Sequence, residues 1–242
     1  MRQQLRCLAV TGLAAITVAG LAACGMVTGT TFEDDSTLPG KIVAIRIANG
    51  TGSVTVHGTD SGKPSLHRKV RYRADKPTGA THRTENGVLV LGGCGDLCSV
   101  SYTVDVPAGV PVRGRVSSGR VQLTDVGAVR VTTSSGRIDL NGVSGTVAVQ
   151  TTNGGITGSG IEGGKIQAET SNGAIDLTPA TPLDVQARTS NGRITLTMPK
   201  AAYHVTADTR HGSRNIEVPD DPSAPHRISL STSNGRITVT TR

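Results

Sequence analysis

The chain has 242 residues with 31 glycines and only four aromatic side chains, Phe32, Tyr72, Tyr102 and Tyr203. So few flat faces argue against stacking single-stranded bases or sugar rings, and a formal charge of +7 is a mild excess, not the concentrated field of a nucleic-acid binder. Val, Ile and Thr in short runs broken by Gly and Asn, with no amphipathic helical period beyond the first residues, place the chain in the all-β class.

The N-terminus has the three parts of an export signal. Arg2 and Arg6 form a positive start, Leu8 to Ala23 an apolar run, and Ala22 and Ala23 a small-residue exit before Cys24. The run is short and its flanks are small, which suits a cleaved signal over residues 1–23 better than a membrane-spanning helix. Leu21-Ala22-Ala23-Cys24 resembles the bacterial lipobox at every position. That resemblance implies a diacylglycerol on the Cys24 sulfur, cleavage before it, and an extracytoplasmic protein anchored to the cell membrane. Cys7 leaves with the signal, and the mature chain carries a net charge of about +5. Residues 24–40, small and polar around the acidic triplet Glu33, Asp34 and Asp35, read as a flexible tether. The triplet would be repelled by an anionic membrane face.

From Lys41 to about residue 110 the pattern is β but irregular. Ile45, Ile47, Asn49-Gly50, Val54 and Val56 form one turn. Val70 with Tyr72, Val88 to Leu91, and Val100 to Val106 form further strands. The 37-residue step from Gly50 to Gly87 is close to two repeats and predicts a degenerate turn between them; a separate small β-domain over 41–110 is the other reading. Lys69, Arg71 and Arg73 alternate along one strand and make a basic strip, a candidate anion site or simply a solvated edge. In Cys94-Gly95-Asp96-Leu97-Cys98 the two thiols outside the cytoplasm suit a disulfide, which over so short a loop stabilises by about 2 kcal/mol. Free thiols, or a metal shared with His82, are the alternatives.

Residues 111–242 repeat. Gly119, Gly136, Gly154, Gly173, Gly192, Gly212 and Gly235 are 17 to 23 residues apart, a period near 19. Apolar residues alternate on both sides of each, as Val129, Val131, Ile138 and Leu140 do around Gly136. One unit is a strand, a tight corner, a second strand and a loop; alone it cannot bury its apolar face, and stacked at about 4.8 Å it can. Thr133, Thr151, Thr170, Thr189, Thr209 and Thr232 lie three residues before the glycine, with Val116 in the first unit. Inward hydroxyls in such a column can bond to their counterparts above and below. Asn153, Asn172, Asn191 and Asn234 precede the glycine and can stack as an amide ladder, and the glycine supplies positive φ. The pattern predicts a single-stranded β-solenoid of about ten turns over 41–242, roughly 50 Å long.

The repeated Thr-Ser-Asn-Gly-Arg-Ile-x-Leu unit behind a lipobox resembles the bacterial putative-adhesin, or toastrack-like, family. The resemblance covers residues 41–242 and is strongest from 117 onward. It implies a right-handed solenoid outside the cytoplasmic membrane, with a role in adhesion or in envelope-stress sensing, and it carries no catalytic residue. The unit around Gly212 departs from the pattern, and Asp220 to Pro225 lengthens the step after it.

Solenoids also host polysaccharide lyases and hydrolases. Asp139 and Asp176 share an outward column two layers, or about 9.6 Å, apart, near the upper limit for an inverting pair. No aromatic subsite accompanies them, and there is no Gly-x-Ser-x-Gly or His-Glu-x-x-His motif, so no catalytic residue, cofactor or metal is assigned. The residue after the corner glycine is Arg120, Arg137, Arg193 and Arg236. Stacked neighbours there would repel by about 0.8 kcal/mol at 5 Å in water, which a bound anion would relieve. The sequence thus predicts a lipid-anchored, non-enzymatic surface protein. Its partners are the membrane and either an anionic wall polymer or an envelope protein, with an accessory sensor subunit as the second reading and a wall-polysaccharide enzyme as a remote third.

Overall fold

The computed structural model describes residues 29–38, 40–60 and 62–242. The signal segment, the lipobox and Cys24 lie outside the described residues. Within them the regular structure is all strand, in two sheets of eleven and ten strands.

The repeats form as predicted, each contributing one strand to each sheet. The pairs are β8 (Val112–Ser118) with β9 (Val121–Val126), β10 (Val129–Ser135) with β11 (Ile138–Val143), and β12 (Val147–Asn153) with β13 (Ile156–Ser159). β14 (Lys165–Asn172) with β15 (Ile175–Thr178) and β16 (Asp184–Asn191) with β17 (Ile194–Met198) continue the coil. All pair in parallel, and residues at equal offsets from the corner glycines lie opposite one another. Thr133 faces Thr151, Thr151 faces Thr170, and Thr170 faces Thr189. Val, Ile and Leu of both sheets fill one continuous core, with Ile138, Ile156 and Ile175 fully buried; each such side chain stabilises by about 1.5–3 kcal/mol.

The corners differ from expectation in two ways. Gly119, Gly136, Gly154 and Gly235 have φ between 150° and 157°, but Gly173 and Gly192 need no positive φ. What the column shares is closeness. A Cβ on Gly136, Gly154, Gly173 or Gly192 would lie 1.9–2.0 Å from the carbonyl oxygen of the corner glycine in the neighbouring layer. Those same carbonyls accept the threonine hydroxyls: Thr151 donates to Gly136 O at 3.1 Å, Thr170 to Gly154 O at 2.9 Å and Thr189 to Gly173 O at 3.0 Å. The hydroxyls therefore bond to the backbone, not to each other, and Thr133 Oγ1 is buried without a partner. The asparagine ladder forms as predicted, Asn172 to Asn153 and Asn191 to Asn172 both at 3.0 Å.

Both ends depart from simple winding. At the C-terminus, β18 (Tyr203–His211) with β19 (Arg214–Ile216) precedes β20 (His226–Asn234) with β21 (Ile237–Thr241) in the chain. In the stack β20 and β21 slip between, so β20 pairs with both β16 and β18. The degraded Gly212 unit is thus the terminal layer, and the lengthened loop carries the chain back past it. Asp220 closes the exposed edge by accepting from the Val205 N–H at 2.8 Å and pairing with His204 Nδ1 at 3.0 Å.

At the N-terminus, β2 (Ala44–Thr51) and β3 (Val54–Thr59) lie between the β8/β9 layer and that of β6 (Val88–Gly92) and β7 (Cys98–Pro107). Residues 41–110 therefore join the main stack through Ile45 opposite Val112 and Val54 opposite Val121. The expected degenerate turn is absent. Its residues form β4 (Ser65–Tyr72), antiparallel to β7, and β5 (His82–Glu85), antiparallel to β6. Nine parallel layers result, not ten. The expected tether is also partly structured, because Thr30–Thr37 forms β1, antiparallel to β4.

Two substitution pairs test the corner. Gly173→Ala is expected to cost about 1–3 kcal/mol by forced overpacking, whereas Gly50→Ala, with nothing within 4 Å of the added carbon, changes stability by less than about 0.5 kcal/mol. Thr170→Val should cost about 1–2 kcal/mol by orphaning the Gly154 carbonyl, while Thr133→Val is neutral or stabilising. Urea unfolding of the four variants measures both differences.

Candidate functional site

The corner arginines stand one layer apart, as the ladder bond from Val121 N–H to Arg137 O shows for Arg120 and Arg137. Three of the four are engaged, and Arg137 is in no side-chain ion pair or hydrogen bond among the described residues. Arg120 Nε lies 3.5 Å from Asp139, an Arg193 guanidinium nitrogen 3.3 Å from Asp176, and Arg236 Nε donates to Ser213 at 3.0 Å. Asp139 also accepts from Thr157 at 2.6 Å. The two carboxylates weighed as a hydrolytic pair thus each face a guanidinium. These pairs are solvated and contribute between nothing and about 1 kcal/mol each.

The basic strip on β4 meets the acidic triplet on β1. The antiparallel register sets Glu33 opposite Lys69, Asp34 opposite Arg68 and Asp35 opposite His67. Lys69 Nζ lies 2.7 Å from Glu33, and His67 Nδ1 2.8 Å from Asp35. Arg68 grips Asp34 with both arms of its fork, Nε at 2.8 Å and a terminal nitrogen on the second oxygen, the strong bidentate form of the pair. Its guanidinium also donates to Thr81 Oγ1 at 3.0 Å and lies over the Phe32 ring, 5.4 Å from the centroid. Lys69 is therefore no free anion ligand, and the triplet acts as a clasp that holds β1 to β4.

Charges and burial around the clasp reinforce one another. The hydrogen bond from Arg68 holds the Asp34 carboxyl below its usual range, and Lys69 does the same for Glu33. Burial, then the Arg68 charge, pushes the His82 imidazole down. Tyr102, buried between the carbonyls of Thr81 and Gly92 at 2.7 and 2.8 Å, is pushed up to about 12. Arg71 and Arg73 sit instead beside the corner that joins β6 to β7, where Cys94 and Cys98 are disulfide-bonded. With Thr51, Leu97 and Ser99 they line a depression of about 310 Å³.

A second set of arginines escaped the sequence reading. Arg46 on β2, Arg113 on β8 and Arg130 on β10 occupy one outward column in consecutive layers. Arg115 stands in the next column between Ala48 and Thr132. All four are exposed, and none is in ion-pair contact with a carboxylate among the described residues. Heads held at the layer spacing of about 4.8 Å would repel by about 0.9 kcal/mol per adjacent pair in water. Small residues around them leave a depression of about 650 Å³. A second of about 480 Å³ shares Arg113 and Arg130 and adds a floor of Ala44, Ala128, Thr146 and Ala148.

The signal was present but misaligned. Asn49-Gly50 looks like the first corner, yet Gly52 is the true one, since a Cβ on Gly119 would lie 2.2 Å from the Gly52 carbonyl oxygen. Counted from Gly52, Gly119 and Gly136, the three arginines share one offset, six residues before the glycine. Asn49 then falls in the threonine column, where it donates to Val100 O at 2.9 Å.

Residues 42–241 match the sequence model of the family described as Toastrack DUF4097. No curated protein matches the chain. Among solved structures, a putative adhesin from Bacteroides fragilis is 15% identical with a TM-score of 0.46, over 88% of this chain and 97% of that one. A putative cell adhesion protein from Clostridium sporogenes is 10% identical with a TM-score of 0.41, covering 88% and 100%. A putative adhesin from Parabacteroides merdae is 12% identical with a TM-score of 0.41, covering 88% and 96%.

The clasp predicts that the β1–β4 end loosens in acid before the middle of the stack. A carboxyl held low in the fold, as Asp34 is, stabilises fully above its ordinary value near 3.9 and loses that contribution as pH falls through the lowered value. A depressed imidazole, as in His82, stabilises fully above about 6.5 and progressively less below. Both signs agree, so acidification from pH 7 to 3 should strip hydrogen-exchange protection from β1 and β4 before β12 and β14. Simultaneous loss in all four strands would contradict the assignment.

Proposed function

The chain belongs to the Toastrack DUF4097 family, and from that premise we propose that it is an adhesin-like, non-enzymatic scaffold of the cell envelope, anchored by lipid on Cys24. The observation that carries this reading is the continuous stack itself. Nine layers at about 4.8 Å make a rigid body of about 40 Å, whose interior is filled by side chains and whose two outer faces repeat in register. Such a body offers long, laterally ordered surfaces in place of a reaction chamber. Asp139 and Asp176 fit the same reading, since each is engaged by a corner arginine.

The clasp supports the mode of anchoring. Strand β1 begins at Thr30, six residues after Cys24, so the leash could span at most about 20 Å. A lipid on Cys24 would therefore hold the β1–β4 end of the stack next to the bilayer, and pull transmitted through β1 would meet the charge pairs along its full length. The scaffold is coupled closely to the membrane.

Expressing the full chain with labelled palmitate tests the anchor. The wild type should take up label and partition into detergent; Cys24→Ser should do neither and should be released after export. A Cys24→Ser protein that stays labelled and membrane-bound would refute the lipid anchor. Incubation of the exported protein with surface polysaccharide should leave polymer length unchanged, and shortening of the polymer would refute the non-enzymatic reading.

A further inference from the structure

We infer that the groove on the outer face of the β2–β8–β10 region is a binding site for phosphodiester groups of a polymer with uncharged linkers. The inference deepens the scaffold reading by naming the partner that this face meets. Three observations carry it.

The first is the unbalanced charge. Arg46, Arg113 and Arg130 repeat at one offset through three consecutive layers, with Arg115 one column aside, and the register keeps their stems one strand spacing apart. Other arginines also lack an ion pair, Arg137 and Arg188 among them, but among the described residues no other three stand at one offset in consecutive layers, and some rows are answered. Lys69, Arg68, Arg120 and Arg193 each face a carboxylate, and the column that runs from Arg130 through Ala148, Gln167 and Gln186 to Ser229 contains no acidic residue.

The second is the geometry of the forks. The register keeps the stems of Arg46, Arg113 and Arg130 at strand spacing, and a phosphodiester, with two free oxygens and one full charge, can accept from two neighbouring arginines at once. Arg115, about 7 Å along the strand from Arg113, can reach a second phosphate of the same chain.

The third is the floor. Beside Arg113 and Arg130 the groove is lined by Ala44, Pro111, Ala128, Thr146 and Ala148, small side chains with one hydroxyl and no charge. That surface fits the polyol or sugar linker between phosphates and would leave a string of contiguous anions unmatched. Strand β8 is drawn against β2 at Gly114, where an added Cβ would lie 1.9 Å from the Ile47 carbonyl oxygen, and this close approach helps form the hollow.

The test uses the exported full chain carrying Cys24→Ser, with purified poly(glycerol phosphate) as the probe. Binding should be salt-dependent. Arg113→Ser/Arg130→Ser, both at exposed positions, should weaken it about tenfold or more and lower the slope of log affinity against log salt by about 1.4, as expected for two lost phosphate contacts on a single strand. The corner variant Arg137→Ser/Arg236→Ser should leave binding within about twofold. Polygalacturonate, whose charges are carboxylates, should bind at least about tenfold more weakly at pH 7. Equal binding of polygalacturonate, preferential binding to phosphatidylglycerol vesicles, or undiminished binding in the Arg113→Ser/Arg130→Ser variant would each overturn the inference and leave the scaffold reading standing. That reading fails separately, by the fate of the Cys24→Ser chain and of the polymer's length.

Discussion

The corner carbonyl governs this structure. At each turn the backbone reverses within two residues and brings the carbonyl oxygen of one glycine against the α-carbon of the next, at a distance where a methyl group cannot fit. A carbonyl so placed is shut off from water, and leaving it unpaired would cost about 1–3 kcal/mol. The threonine three residues before the next glycine supplies the missing donor, as Thr170 does for Gly154 and Thr232 for Gly192. Glycine and threonine are therefore one device, closing the gap and satisfying the group that the closure exposes. Because it acts between layers, it reinforces the vertical register set by the parallel ladders wherever it forms, from the Gly136 corner onward.

This coupling explains what could be read from sequence. Strands, core positions, the threonine column and the asparagine ladder all follow from offsets to the glycines, since a period of about 19 reports parallel stacking directly. The hydroxyl partner was hidden because sequence shows that threonines are stacked and not which oxygen lies nearest. Antiparallel pieces leave no trace in the period. Thr30–Thr37 reads as a polar leash, yet its alternation of Phe32, Asp34 and Ser36 against Val70, Arg68 and Leu66 makes a strand once β4 is beside it. The first turn was misplaced by two residues because Asn49-Gly50 has the composition of a corner, while the packing requirement falls on Gly52.

Stacking order was also beyond the sequence, for a related reason. Parallel layers with the same offsets present nearly interchangeable edges, so the β20/β21 layer can join β16/β17 directly while the β18/β19 layer is displaced to the end. The terminal residues show what that position requires. His211 stands where inner layers have asparagine, and Asp208, Arg210 and Arg214 lie on the outermost strands, where charge discourages pairing with another chain. Asp220 then occupies a backbone donor on that edge, and its own carboxyl is held low by the Val205 N–H. A degraded repeat in the sequence is a well-formed cap in the fold.

The same logic sorts the arginines. In a solenoid any residue type repeated at one offset becomes a row of like groups at strand spacing, so a cationic row carries an unfavourable self-energy unless something opposes it. Along the corner, Asp139 and Asp176 each lie one layer away from, and two offsets further along the strand than, the arginine they meet in space, and Gly155 and Ala174 interrupt the arginine row between them. Along β4 the answer comes from a separate strand, β1, with one carboxylate opposite each of three bases. Neither arrangement exists at Arg46, Arg113 and Arg130, where the row is unbroken and the surrounding residues are small and neutral. Long side chains can fan apart and lower the repulsion, but fanning does not account for the depressions between them or for the missing acids. A row held in register by the backbone and open to solvent on one side would be a template for an anion with matching spacing; the parallel ladder alone aligns it, because Asn49, Val116 and Thr133 stand in the threonine column of these layers and the threonine–glycine bond is missing there.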